Sequence, residues 1–462
     1  MNALKTPNPD LFRAYDVRGI VGESLMADDF RSIGQAFGSY VAEALSVEQP
    51  SIIVMRDGRL SSPLLAGAMM EGLLAAGCHV RDGGIGPTPL CYYATHSLEA
   101  HGSVMITGSH NPPKHNGAKF MVGHASLYGK HLATLGPMVT QGKLREGVGA
   151  LHAADVLGSY IDTLAKVHDA DGVSIVWDTG HGAAGDVVKA LTEALPRGTH
   201  HLLYNRIDGR FPAHHPDPSD PSTLADLQAA VLEHNADIGI AFDGDGDRVG
   251  FVDHKGRILS PDHTLMLLAR DVLARKKGSQ MIADVKTSDA FFADVEAHGG
   301  QSLMWQTGHA LIKEKLQETG AAFAGEASGH IFFADEYYGF DDGIYAAMRM
   351  IAMRKISHTP LSDLVDALPQ LHASDEMRIP CDDRKKFAVI RDLTKALEDA
   401  DANVNTLDGV RVSTDDGWWL MRASNTQAVL VVRYEGRDEA AAQRLREEVN
   451  RYLSDMDVAQ AA

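Results

Sequence analysis

Short apolar runs, each closed by glycine or another turn-forming residue, alternate with longer stretches of helical spacing through most of the chain. The runs at 52–55, 104–106, 174–177, 238–242, 282–285 and 303–305 predict strands. Helical periodicity predicts helices over 29–45, 186–195, 221–234, 264–276 and 343–355. Strands alternating with helices argue for α/β units on largely parallel sheets. The stretch 64–77 comes nearest to a membrane span, but Glu71 interrupts it, and its spacing suits a helix against a sheet. The pattern changes near the end. Segments 410–413, 418–422 and 429–434 read as short antiparallel strands, and a charged helix is predicted over 438–453. That is a separate α+β unit. A chain of 462 residues exceeds one core, and we place its domains at 1–153, 154–255, 256–368 and 369–462. The first three share a scheme of strand, glycine loop and helix, without a tandem sequence repeat.

Charge changes the picture of partners. The formal net charge is −19, which disfavours a nucleic acid, a partner that needs a basic face. An acidic chain can still bind a small anion, provided its lysines and arginines gather at the site. The cysteines, Cys78, Cys91 and Cys381, show no metal spacing and read as reduced thiols. The first ten residues lack the apolar core of a signal peptide. The expectation is a cytoplasmic protein with no membrane partner. Oligomeric state is left open, with the monomer favoured.

The candidate chemistry sits where the predicted strands end. Thr107-Gly108-Ser109-His110-Asn111-Pro112 follows the run at 103–106, so Ser109 projects from the carboxyl edge of a sheet, where α/β proteins place their chemistry. Asp243-Gly244-Asp245-Gly246-Asp247-Arg248 follows another run. Its glycines let the backbone fold tightly, so three carboxylates converge. Unneutralised they would repel, and a hard divalent ion such as Mg²⁺ or Ca²⁺ resolves this. Arg248 adds a donor fork for phosphate. An EF-hand loop would need glycine and glutamate where Arg248 and His254 stand. A phosphatase using Asp243 as nucleophile remains an alternative at this point. Gly180-His181-Gly182-Ala183-Ala184-Gly185 has the dinucleotide spacing but no acidic residue at the end of the next strand, and reads as a tight strand-to-helix turn. The pair His214-His215 reads as structural. Gly325-Glu326-Ala327-Ser328-Gly329-His330 offers a carboxylate, a hydroxyl and an imidazole suited to sugar hydroxyls. Arg422-Ala423-Ser424-Asn425-Thr426 offers an anion nest for phosphate.

One loop of each kind per predicted domain, in this order, resembles the α-D-phosphohexomutase superfamily, and within it the bacterial phosphomannomutase/phosphoglucomutase group. The resemblance extends to Phe12-Arg13-Ala14-Tyr15-Asp16-Val17-Arg18-Gly19, Asp284-Val285-Lys286, Thr307-Gly308-His309-Ala310-Leu311-Ile312-Lys313 and Phe340-Asp341-Asp342-Gly343. It implies four domains around a central cleft, three similar α/β domains with mixed sheets and a smaller α+β fourth. It implies exchange of hexose 1-phosphate and hexose 6-phosphate, of mannose and glucose, through a phosphoserine and a hexose 1,6-bisphosphate. Ser109 would carry the phosphoryl group and, with Asp243, Asp245 and Asp247, hold Mg²⁺. Arg18, Lys119, Arg248 and His330 would surround the transferring phosphate, with Lys119 and His330 the candidates for proton transfer. The phosphosugar would be gripped by Tyr15, Lys286, His309, Glu326, Ser328, Arg422, Ser424, Asn425 and Thr426. Ala327 fills a variable place in the sugar loop, which leaves phosphoglucosamine mutase as the nearer alternative.

Overall fold

The computed structural model describes residues 4–425, 427–456 and 458. Four sheets organise the chain. The first runs in the order Val17–Ile20, His115–Val122, Gly102–Ile106, Ser51–Arg56, His79–Ile85, Ala150–Ala153. Its first two pairings are antiparallel and the rest parallel. The second runs Val249–Asp253, Ile238–Phe242, Ser174–Asp178, Thr199–Leu203. The third runs Ile331–Phe333, Phe323–Gly325, Gln280–Asp284, Gln301–Trp305. These three sheets share one plan. In each, a central set of four strands lies in the spatial order fourth, third, first, second, with the fourth antiparallel to the third. The sheets are therefore mixed rather than simply parallel.

Apolar alternation explains how the layers close. Along Ser51–Arg56, Ile52 and Val54 pack with Phe30, Phe37, Leu65 and Met69 under the helices Ala27–Leu45 and Ser62–Ala75. Ile53 and Met55 face the other way, into a core continuous with that of the second and third sheets. The stretch 64–77 is thus a helix against a sheet. Among the described residues, no helix is long and apolar enough to cross a membrane. The expected helix over 221–234 divides into a 3₁₀ turn, Pro221–Leu224, and a helix, Ala225–Glu233. Asp220 accepts from Ser222 N and captures the first turn, which proline opens.

The fourth sheet is all antiparallel, in the order His372–Ala373, Val429–Gly436, Gly417–Ala423, Val410–Thr414, Val404–Asn405, with Met377–Pro380 also on Val429–Gly436. Trp419 and Met421 face its own core under the helices Lys386–Asp399 and Glu439–Asp455. Trp418 and Leu420 alternate to the opposite face and pack on Val285 of the third unit. A buried ion pair, Arg433–Asp262 at 2.5 Å, and a pair between buried Arg411 and exposed Asp289 at 2.9 Å fasten the same contact. This docking carries the 422–425 segment to the cleft.

Candidate active site

The shared plan places the chemistry. The serine, aspartate and sugar loops each join the third strand to the fourth of the shared four-strand set in their own sheet. One cleft collects them, with Tyr15 and Arg18 from the start of the chain and Arg422, Ser424 and Asn425 from the fourth unit.

Ser109 is buried and has a left-handed backbone, φ +50°. Its hydroxyl donates to Asp243 Oδ2 at 3.2 Å and lies 3.2 Å from His110 Nδ1. The two loops touch: a Cβ on Gly244 would fall 2.5 Å from the Ser109 carbonyl oxygen. Glycine is required there.

Asp243, Asp245 and Asp247 are fully buried, and one oxygen from each lies within 4.8 Å of the others. Lys119, on strand His115–Val122, donates to Asp245 Oδ2 at 2.7 Å and to Asp247 Oδ2. Thr88 Oγ1 donates to Asp245 as well. Asp245 Oδ1 and Asp247 Oδ1 are buried without a hydrogen-bond partner. Three gathered carboxylates, two of them with an oxygen that accepts no hydrogen bond, and a serine hydroxyl on the third fit a hard divalent cation, which takes oxygen ligands. A second grouping, Asp247, His330 and Asp341, is as compact. It brings a ring nitrogen into place of an oxygen, and that ring is already held by Glu326. The all-oxygen triad is the better cation site. Burial, then the like charges of Asp245 and Asp247, push the Asp243 carboxyl well above its usual range. Burial opposes ionisation of Asp247 too, but Lys119 and His330 outweigh it and hold that carboxyl well below its usual range.

His330 sits between two carboxylates. Nδ1 is 2.9 Å from Glu326 Oε2, and Nε2 is 3.4 Å from Asp247 Oδ1, in ion-pair range but misaligned for a hydrogen bond. Burial and Arg248 lower its pKa, yet Asp247 and Glu326 prevail and raise it to about 9. Arg248 Nε points at Nε2 from 3.3 Å. The ring thus has partners in both states: the cation faces two carboxylates, and the neutral ring accepts from Arg248. Lys119 has no such alternative. Burial opposes its charge, but Asp245, Asp247 and Asp341 raise its pKa and keep it an ammonium.

The far side of the cleft is built for an anion. Tyr15 OH donates to Thr307 O and accepts from Asn425 Nδ2, each at 2.7 Å, tying the first, third and fourth units at one atom. Arg422 Nε is held by Asp408 Oδ2 at 2.9 Å. Ser424 N donates to Val429 O at 3.0 Å, and Gln427 N to Ser424 Oγ at 3.2 Å. Thr426 lies outside the described residues. Lys286 follows strand Gln280–Asp284 and donates to Glu376 Oε2 at 2.7 Å. Glu326 Oε1 accepts from Gly308 N at 2.5 Å. His309 opens the helix His309–Thr319, with Nδ1 3.1 Å from Asp341 Oδ2. Ser328 Oγ lies 3.0 Å from His330 Nδ1. Arg18 pairs with Asp16 at 2.5 Å, and its Nε is buried without a partner. The described candidate residues therefore line one cleft, except Asp243, Asp245 and Asp247, which are buried behind Ser109 and Lys119.

Sequence reasoning missed Asp57, Arg59, Thr88, Glu376, Arg378 and Asp408. It also gave no role to Lys313, whose ammonium donates to Asp341 at 2.8 Å over the Tyr92 ring. A signal existed for the first two. Asp57-Gly58-Arg59 follows a predicted strand, at the same sheet edge as Ser109.

Three sheets of one mixed plan and an antiparallel fourth around a cleft, with a serine over buried aspartates, define an enzyme of phosphoryl transfer. Family models for phosphoglucomutase/phosphomannomutase match in sequence: alpha/beta/alpha domain I over residues 9–135, domain II over 158–256, domain III over 260–372, and the C-terminal domain over 376–451. The chain belongs to the phosphoglucomutase/phosphomannomutase family. It is 42% identical over 461 residues to the phosphomannomutase/phosphoglucomutase of Pseudomonas aeruginosa, covering 99% of this chain and 98% of that one. It is 40% identical over 441 residues to the phosphoglucomutase of Neisseria gonorrhoeae, covering 94% and 95%. The crystal structure of a Burkholderia thailandensis phosphoglucomutase/phosphomannomutase family protein is similar with a TM-score of 0.87 and 40% identity, covering 97% of this chain and 98% of that one.

Proposed function

We propose that this enzyme interconverts hexose 1-phosphate and hexose 6-phosphate, of mannose and glucose, with Ser109 as the phosphoryl carrier. The observation that carries the reading is the Ser109 hydroxyl, 3.2 Å from Asp243 in a buried triad of aspartates, in a cleft that Arg422, Ser424 and Asn425 also line. The names of the relatives from Pseudomonas and Neisseria support the substrate class.

In the first half-reaction, a free sugar hydroxyl attacks the phosphorus on Ser109. The new bond to the sugar oxygen forms as the bond to Ser109 Oγ breaks. The hydroxyl proton passes to His330 in its neutral form, the minor form at neutral pH because Asp247 and Glu326 raise its pKa to about 9, and the cation that results is held by the same two carboxylates. The product is a hexose 1,6-bisphosphate. After the sugar reverses in the cleft, the other phosphate returns to Ser109, and His330 gives its proton to the oxygen left behind. Asp243, Asp245 and Asp247, with an oxygen of Ser109, would hold Mg²⁺, which neutralises charge on the moving phosphoryl group. Lys119, Arg248 and Arg18 supply fixed positive charge at the same end. Arg422, Ser424, Asn425 and Thr426 would hold the resting phosphate, with Tyr15 beside them. Lys286, His309, Glu326 and Ser328 would hold the ring. The acidic chain thus keeps its cations at the site.

Rates on glucose 1-phosphate, mannose 1-phosphate and glucosamine 1-phosphate test the substrate. Dominant glucosamine turnover overturns it. Treating the phosphorylated enzyme with hydroxylamine tests the carrier: phosphoserine survives, whereas an acyl phosphate on Asp243 is lost.

A further inference from the structure

Arg59 is only 1% exposed and lies behind the serine loop, outside the lining of the cleft. Its guanidinium donates to four loop carbonyls. Nη2 reaches Ser109 O and Asn111 O, each at 2.6 Å, and Nη1 reaches Pro112 O at 2.7 Å and His115 O at 3.0 Å. Nε donates to Asp57 Oδ2 at 3.1 Å. Arginine presents five N–H donors in a rigid fork. Here every one has an acceptor.

Asp57 ties the same loop from its donor side. It accepts from Thr107 Oγ1 at 2.8 Å, Gly108 N at 3.2 Å and Ser62 Oγ at 2.5 Å. Thr107 Oγ1 in turn accepts from Ser109 N at 2.8 Å. Both peptide groups of Ser109 are therefore held, one by Thr107 and one by Arg59. This matters because a left-handed backbone is unfavourable for serine and persists only when its surroundings impose it. The second unit closes the arrangement, with the Phe211 ring 5.2 Å from the guanidinium.

We infer that Arg59, braced by Asp57, is a positioning residue for phosphoryl transfer. It fixes Ser109 so that the side chain faces Asp243 both when it carries the phosphoryl group and when it is free. The inference rests on the mutase reading above. A phosphorylated Ser109 brings up to two negative charges next to three carboxylates. A loop under that load recoils unless its backbone is pinned. A guanidinium pins four carbonyls and adds buried positive charge behind them. Lysine cannot replace it, because an ammonium has three donors and no planar fork.

The test uses Arg59→Lys in the full chain. Dephosphorylated protein is mixed with glucose 1,6-bisphosphate, and phosphoryl uptake on Ser109 is followed by intact mass. Steady-state kcat and KM and thermal unfolding are measured alongside. The expected result is a folded variant whose uptake rate and kcat both fall about 100-fold, the scale of a misplaced reacting group, with KM unchanged. A folded variant with wild-type kcat overturns the inference. So does a raised KM at unchanged kcat, which would mark a binding role. If Arg59→Lys does not fold, Thr107→Val carries the same test through the Ser109 N–H, and wild-type kcat there overturns it equally. Wild-type protein that takes up no phosphoryl group overturns the mutase reading itself, and the inference with it. Uptake by wild type and variant at equal rates removes the inference alone.

Discussion

The serine loop and the sugar loop occupy the same place in two sheets of the same order, yet they are held in different ways. Each is braced by an aspartate from the end of the first strand in its sheet's shared set of four. Asp57 accepts from Gly108 N and Asp284 Oδ1 from Ala327 N, both at 3.2 Å. Beyond that they diverge. The serine loop has its carbonyls bound by one buried arginine. Among the described residues, no arginine donates to a sugar-loop carbonyl. That loop closes on itself, Glu326 N to His330 O at 2.9 Å and Gly329 N to Glu326 O at 3.0 Å, and its side chains pair with one another. The difference follows the task. A loop that gives and takes back one group needs a fixed atom, so its backbone is pinned. A loop that reads a sugar in two poses needs available side chains, so its backbone is left to a short turn.

Each loop carries a serine, and exchanging them for alanine gives the widest contrast. Ser109→Ala removes the phosphoryl acceptor. Turnover is expected to fall on the order of 10⁴-fold or more, as for loss of a nucleophile elsewhere. Ser328→Ala removes one hydroxyl. Its cost in kcat/KM is expected at about fivefold, the scale of one hydrogen bond, and mostly in KM. Steady-state kinetics on glucose 1-phosphate separates the two. Equal losses would mean that the sugar loop also holds the reacting atoms.

Gly108→Ala tests the pinned backbone from the other side. An added Cβ would lie 2.6 Å from Arg59 Cζ and 2.9 Å from His115 O, both held in place. The guanidinium must move. The expected effect is a fall of about 100-fold in kcat with KM little changed. Unchanged kcat would show that the loop tolerates a shifted arginine.

Much of this fold was legible, for a physical reason. Strands such as Ile238–Phe242 are buried on both faces, so they leave an uninterrupted apolar run. The loops at their ends were legible because their glycines and carboxylates have few other uses. Strand His115–Val122 was not read as a strand, because Asn116 and Lys119 interrupt its run, and Lys119 is there for the site. Arg59 was missed for a different reason. Its place after a predicted strand was a signal, but its partners are mainly backbone carbonyls, which every residue has, so no matching side chain elsewhere in the sequence points to its role. Side chains that meet side chains leave a motif, and side chains that meet backbone do not.

The smallest effect concerns the contact between the two units compared. His96 and His124, of the first unit, stack with ring centroids 4.0 Å apart, and His96 also meets Tyr338 and Phe340 of the third. Burial, then the neighbouring His124 and Lys313, lower the His96 pKa to about 4. The sign follows from linkage. Above pH 6.5 the ring is neutral folded or unfolded, and it costs nothing. As pH falls from 6.5 towards 4, the unfolded chain takes up the proton first, and stability is lost. Below 4 the loss is complete. His96→Phe keeps the ring contacts and removes the proton site. Its melting temperature, compared with wild type between pH 7 and pH 4.5, is expected to fall less steeply. Parallel curves would show that the junction of the serine and sugar units does not depend on a neutral His96.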